Sequence, residues 1–361
     1  MTSSPPHAAD GRRPLVGVSV SIDTEEDNWI PSLEGITVRN IRELPKLAEL
    51  CASLGVRATY FVTYQVASTP ESAAVIRELA SDGTAEIGAH LHPWNTPPSC
   101  GLEPRISMLR DYPPEFQRKK LERLLEEFDA SIGIRPTSFR AGRFGVGRSV
   151  IEALVENGIF IDSSVTPLIS WEGDGGPSFL DAPTRMYRLD GSGEVPTPND
   201  EGLVVEVPVT VGFTRFAPAD WPRVARLLAS ARGRGVRLFG LASRLGLFRR
   251  VILSPETHSV EDMLLMSRRM IEAGEPYLHL YFHSSSLVPG LSPFVRTEED
   301  RTALFDTLRR FVEGLREMAD IRACTVTEAA EVFGPELSGV RAGTPGGDSA
   351  IEGPRATSGA G

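Results

Sequence analysis

Cysteine is scarce in this chain. Three residues in 361, Cys51, Cys100 and Cys324, lie far apart and form no C-x-x-C pair. That pattern excludes a disulfide framework and a cysteine zinc site. Long apolar runs are also missing: nothing approaches the roughly 18 consecutive apolar residues that a membrane helix needs, so no integral membrane segment is expected. Basic charge is in short supply, with 38 Lys and Arg against 48 Asp and Glu and a net charge of -10. This balance argues against nucleic acid or an anionic membrane as partner. The first ten residues are polar, bear prolines and lack the apolar stretch of a secretion signal, from which a cytoplasmic location is expected.

What is present is an ordinary globular composition, 41% hydrophobic and 24% charged, long enough for one large α/β domain or two smaller ones. Residues 1–13 are polar, and 336–361 are dominated by Gly, Pro, Ser and Thr. Both read as disordered tails around a single domain at 14–335. Within that domain, apolar strand-like runs alternate with amphipathic helical spacing. Strands are expected at 15–22, 58–62, 86–89, 137–140, 158–162, 204–207, 278–282 and 321–325. Helices are expected at 40–54, 71–81, 115–131, 148–157, 220–233, 260–273 and 298–316. Residues 166–199 read as a Gly/Pro-rich loop and 238–259 as an apolar and basic insertion, connections of the length used for lids or substrate walls. Alternation of this kind predicts an α/β fold with a parallel sheet, open or closed into a barrel. In either form, function gathers at the carboxyl ends of the strands.

Histidine is rare as well, with six residues in the chain. Three of them, His90, His92 and His283, fall at the carboxyl ends of expected strands. His90 and His92 are spaced i, i+2, so an extended segment points both imidazoles to one face, as suits zinc or another divalent ion. Asp23 and Glu25 have the same spacing after the first strand. Two carboxylates so close repel unless a cation neutralises one, although an acidic solvated loop explains Asp23-Thr-Glu-Glu-Asp27 equally well. Together the two pairs make a His/His/carboxylate set with an open position, the arrangement of a catalytic rather than a structural metal. His283 ends the strand 278–282 and is placed to act as a general acid, while His279 lies deeper on the same face as a core histidine. Arg140 and Arg143 leave another strand end, where a guanidinium can hold a carboxylate base ionised or clamp an anionic sugar. Asp162 is placed to pair with His283 or Arg140, or to cap a turn through Ser163.

In order, SIDTEED (21–27), EIGAHLHPWNTPP (86–98), FRAGRFG (139–145), IDSS (161–164) and LYFH (280–283) resemble the motifs of the polysaccharide deacetylases of the NodB-homology type, carbohydrate esterase family 4. The resemblance spans about residues 15–330. HLHPWNTPP and FRAGRFG look most similar to a WalW-like branch linked with lipopolysaccharide biosynthesis. The resemblance implies a distorted (β/α) barrel over 14–335 that binds one divalent metal, commonly zinc. It implies an N-acetylated carbohydrate as substrate, drawn from a polysaccharide or lipopolysaccharide precursor. It further implies Asp23 as catalytic base, Glu25 as metal ligand, His283 as acid, Arg140 as the residue holding Asp23, and Asp162 as a tuner of this charge network. Two departures stand out. The acidic pair is Asp-x-Glu rather than adjacent aspartates, and the common i, i+4 histidine spacing would put Trp94 at the second ligand, so His92 is expected to take that place. Two rival readings are an amide hydrolase of the same fold acting on a small cyclic amide or ureide, and a catalytically inactive carbohydrate-binding relic.

Overall fold

In the computed structural model the described residues are 13–190, 197–233 and 248–335. Apart from Arg13, the two expected tails lie outside them, as does 238–247 of the expected insertion.

The first strand sets the architecture. β1 (Leu15–Thr24) is buried along nine of its ten residues, as expected of a parallel strand covered on both faces rather than one with a solvated side. β2 (Ala58–Val62), β3 (Glu86–Leu91), β4 (Ser138–Ala141), β5 (Ile161–Asp162) and, after two outlying strands, β8 (Val204–Glu206) extend the sheet from one side of β1, each parallel to the last. β11 (Tyr277–His283) pairs parallel along the other side. β12 (Asp320–Ala323) joins the start of β1, parallel to it. The circle is drawn together irregularly beyond β8, where Thr210 donates its N–H to the His279 carbonyl at 3.1 Å and the His279 N–H reaches Thr210 Oγ1 at 2.7 Å. The Tyr281 N–H donates to the Leu253 carbonyl on the same seam.

Helices cover the outside, and their starts are written in the sequence. Pro45, Pro70 and Pro114 lie in the first turns of helices Leu44–Ser53, Pro70–Ala80 and Pro114–Glu127, where a missing N–H costs nothing. Ser259 caps Val260–Glu272, and Thr297 with Asp300 forms a reciprocal capping box at Glu298–Met318. The helix expected at 115–131 closes in a single wide turn, Phe128–Ile132, that ends on Gly133 at φ 76°.

Three segments differ from expectation. The loop read at 166–199 contains β6 (Tyr187–Asp190), antiparallel to β8, and β7 (Thr197–Pro198), antiparallel to β6. The insertion contains β10 (Arg250–Ile252), antiparallel to β9 (Val211–Phe213). Strands of two to four residues carry too little alternation to read as a period. The helix Val326–Phe333 was hidden by its apolar composition, although Thr325 and Glu328 form a capping box at its start. No helix among the described residues is long and apolar enough to cross a membrane.

Because all the principal strands are parallel, their carboxyl ends emerge on one rim. There Asp23, His92, Arg140, Asp162, Glu206 and His283 end or follow β1, β3, β4, β5, β8 and β11. The placement of β3 depends on Gly88, where a Cβ would lie 2.6 Å from Phe61 Cδ1 and 2.7 Å from Ser138 Oγ. Gly88→Ala is expected to destabilise the protein by about 1–3 kcal/mol through this overpacking. Denaturant unfolding checks it, and an unchanged midpoint would contradict the packing described.

Candidate active site

The acidic run after β1 is not a solvated loop. Asp23, Glu25, Glu26 and Asp27 are all buried, and each has its own set of partners. Asp27 ties the loop down, accepting from the backbone N–H groups of Arg39 and Asn40 and from Thr37 Oγ1 and Asn40 Nδ2. The other three face the rim residues.

Asp23 Oδ1 accepts a 2.6 Å hydrogen bond from Arg140 Nη1, while Oδ2 lies 4.0 Å from His90 Nε2 and 3.9 Å from His283 Nε2. Burial works against this carboxylate, but Arg140, His90 and His283 outweigh it and hold its pKa down at about 2. Arg140 is itself entirely enclosed. Its Nε donates to the Ser163 carbonyl, its Nη2 to Ser21 Oγ and Ser163 Oγ, and its plane lies over the Phe61 ring at 4.3 Å.

Glu25, His90 and His92 each present one donor atom to a common point, the donors lying within 4.8 Å of one another. His90 Nε2 and His92 Nε2 are 3.1 Å apart, Glu25 Oε2 is 3.3 Å from His92 Nε2, and it is 3.9 Å from His90 Nε2. A tetrahedral ion with ligand bonds of about 2.0–2.1 Å has an edge of roughly 3.3 Å, so two of these separations are already close to that spacing. The far nitrogen of each ring is engaged: His90 Nδ1 donates to the Arg140 carbonyl at 2.9 Å and His92 Nδ1 to Glu26 Oε1 at 2.8 Å. Tying down Nδ1–H leaves Nε2 as the ligating atom. Burial pushes His90 down to about 3. Burial opposes charge on His92 too, but Glu26 and Glu25 raise it to about 10. Burial raises Glu25, while His92 lowers Glu26 against its own burial. The donor set, two oriented imidazoles and a carboxylate, fits a divalent metal.

Trp94 is not among these donors. Its ring stacks on His92 with centroids 4.2 Å apart, so the indole braces that imidazole.

His283 completes the centre from β11. Its Nδ1 donates to Glu256 Oε2 at 2.9 Å, its backbone N–H donates to Glu256 Oε1, and its Nε2 faces Asp23. Burial opposes protonation, but Glu256 raises the imidazole to about 10. Glu256 lies in the stretch read as an insertion, and no spacing rule links it to His283. Trp29 also escaped the sequence reading; its ring packs edge-on to His283 at 4.9 Å.

Asp162 meets neither His283 nor Arg140 in a hydrogen bond or ion pair. It lies opposite Glu206 on the neighbouring strand, accepts from Ser164 Oγ at 2.5 Å, and is fully buried with Glu206. Burial raises Asp162 to about 6, and burial with the Asp162 charge raises Glu206 further. His279 is a core histidine as expected, bonded through Nε2 to Ser21 Oγ at 2.8 Å. Arg143 stands exposed at the mouth. The cleft over the centre measures about 370 Å³ and is lined by Asp23, Glu25, His90, His92 and His283 together with Trp29, Ile30, Trp94, Arg143 and Phe144.

No protein-family model matches this sequence, and no curated protein matches it. The fold does have solved counterparts. A Mycobacterium smegmatis protein assigned as a polysaccharide deacetylase superposes with a TM-score of 0.51 at 18% identity, over 92% of this chain and 94% of that one. A Parabacteroides distasonis protein assigned as a glycoside hydrolase/deacetylase superposes with a TM-score of 0.54 at 12% identity, over 89% and 71%. The likeness at these identities is one of fold, the distorted (β/α) barrel of the NodB type.

The His283–Glu256 pair generates a prediction with a defined sign. A histidine whose folded pKa is raised to about 10 stabilises the fold in full below its unfolded value of about 6.5 and loses that contribution as pH rises through about 10. Glu256→Gln is expected to bring the His283 titration down toward the ordinary range and to flatten this part of the stability profile. Imidazole NMR titration and thermal unfolding at pH 6 and pH 10 read both. An unmoved His283 titration would contradict the pairing.

Proposed function

We propose that this protein is a metal-dependent hydrolase that removes the N-acetyl group from an amino sugar. One observation carries the reading: three donor atoms fit for a divalent metal converge beside Asp23 and His283, within one cleft at the carboxyl rim of a barrel of the NodB type.

Glu25, His90 and His92 would hold the ion, and zinc suits two imidazoles with one carboxylate. Bound there, the ion would supply Lewis-acid activation of a water and of the acetyl carbonyl. The remaining chemistry belongs to side chains. Asp23 is held ionised by Arg140, with Oδ2 turned into the cleft, and accepts the proton of the attacking water. His283, kept protonated by Glu256, stands on the other side of Asp23 and donates to the departing amine. Arg140 is a positioning residue: it fixes Asp23 with its guanidinium and His90 with its carbonyl. Glu26 positions His92 in the same sense. Trp29 offers an aromatic edge at the mouth against which the apolar face of a sugar can rest.

The finer reading places the substrate among polysaccharide or lipopolysaccharide precursors, in the WalW-like branch. HLHPWNTPP (90–98) and FRAGRFG (139–145) alone support it.

Two measurements test the proposal. The purified protein is expected to bind about one equivalent of zinc or a comparable divalent ion, with stoichiometry lost in His90→Ala and His92→Ala and kept in Trp94→Phe. Retention of metal by His92→Ala would remove His92 from the set. The metal-loaded protein is expected to release acetate from N-acetylated amino sugars, and Asp23→Asn to slow this by about 100- to 10,000-fold with metal still bound. Full turnover by Asp23→Asn would overturn its role, and no acetate release from any such sugar would overturn the reading.

A further inference from the structure

The rim of the cleft carries one cation that the proposed reaction does not use. Arg143 follows Arg140 by three residues, yet the two have opposite surroundings. Arg140 is sealed in the barrel with every nitrogen engaged. Arg143 is exposed, lines the mouth of the cleft, and makes a single hydrogen bond, from Nη1 to Ser107 Oγ at 2.7 Å. Among the described residues no carboxylate lies within ion-pair distance of it. Some exposed arginines elsewhere on this acidic chain are paired, as in Arg118 with Glu156, Arg148 with Glu152 and Arg310 with Glu261.

The backbone that presents Arg143 is strained. Arg143 and Phe144 adopt φ 54° and φ 57°, a left-handed conformation that non-glycine residues rarely take. Local structure holds the turn there. Gly142 packs so tightly on His92 that a Cβ would lie 2.5 Å from the imidazole Cδ2 and 2.8 Å from the Leu91 carbonyl. Phe144 is buried, with its ring near those of Trp171 and Tyr281. The turn is thus pinned to the His92 imidazole on one side and to the core on the other. Strain kept in this way at a site is a signature of function.

We propose that Arg143 binds an anionic group on the substrate, a phosphate or a carboxylate, so that the acetylated sugar this protein accepts is itself charged. A guanidinium at the mouth, with four of its five N–H donors not engaged in any hydrogen bond among the described residues, offers the forked geometry that either oxyanion takes. The inference rests on the deacetylase reading for the sugar, but not for the anion.

Its test is equilibrium binding by calorimetry to the metal-loaded full chain carrying Asp23→Asn, so that no ligand is consumed. The ligands are N-acetylglucosamine 1-phosphate, the corresponding N-acetylated uronic acid and the neutral methyl N-acetylglucosaminide. At least one anionic sugar is expected to bind about 10- to 100-fold more tightly than the neutral glycoside. Arg143→Met is expected to erase that difference while leaving the neutral glycoside unaffected, and Arg143→Lys to restore part of it. Which anion gains distinguishes phosphate from carboxylate. Equal affinities for charged and neutral ligands, no binding of either anion, or a preference that survives Arg143→Met would each overturn the proposal. In the otherwise unaltered protein, the KM for acetate release is expected to rise on the anionic substrate alone when Arg143 is replaced by Met. An anion preference that depends on Arg143, found without acetate release from any sugar, would support the anion site and remove the deacetylase reading instead.

Discussion

A buried guanidinium organises the centre of this molecule. Taking an arginine out of water costs several kcal/mol unless its charge and its donors are met. Arg140 is met by Asp23, Ser21 and the Ser163 carbonyl and hydroxyl, with the Phe61 ring against its plane. Those partners come from the ends of β1 and β5 and from β2, so the side chain that balances Asp23 also knits the strands together. Its own carbonyl accepts from His90 Nδ1. One residue thereby fixes the proposed base, Asp23, through its side chain and a metal-ligand candidate through its backbone.

The same logic of paired charge recurs on both sides of the cleft. Glu26 holds His92 and Glu256 holds His283, each carboxylate at the far nitrogen of an imidazole whose Nε2 faces the centre. The two histidines then differ by what their Nε2 meets. His92 meets His90 and Glu25, a donor cluster fit for a cation, whereas His283 faces Asp23 across 3.9 Å. Farther along the rim, Asp162 and Glu206 are buried together, and that burial raises the pKa of both carboxyls.

Much of this was legible in the sequence. The parallel α/β core, the rim position of Asp23, His90, His92, Arg140 and His283, and the core role of His279 follow from strand periodicity and i, i+2 parity, because both are local properties. The H-x-H spacing brings His92 to the donor cluster with Trp94 stacked behind it, as two residues of extended chain dictate. The rest depends on contacts between distant segments. Glu26 looked like part of a solvated acidic run until Asn95, Thr63 and His92 closed over it. Glu256 comes from a stretch without periodicity, 27 residues before the histidine it serves. The neighbour of Asp162 that spacing does not reveal is Glu206, on a three-residue strand reached only after β6 and β7.

The claim that Glu25, His90 and His92 form a metal centre is tested most directly by anomalous diffraction from crystals of the protein grown with zinc. The account predicts a single peak in the cleft, within about 2.0–2.2 Å of Glu25 Oε2, His90 Nε2 and His92 Nε2. A cleft without a peak, or a zinc ion held by other residues while His92 Nε2 stays turned to His90, would contradict it.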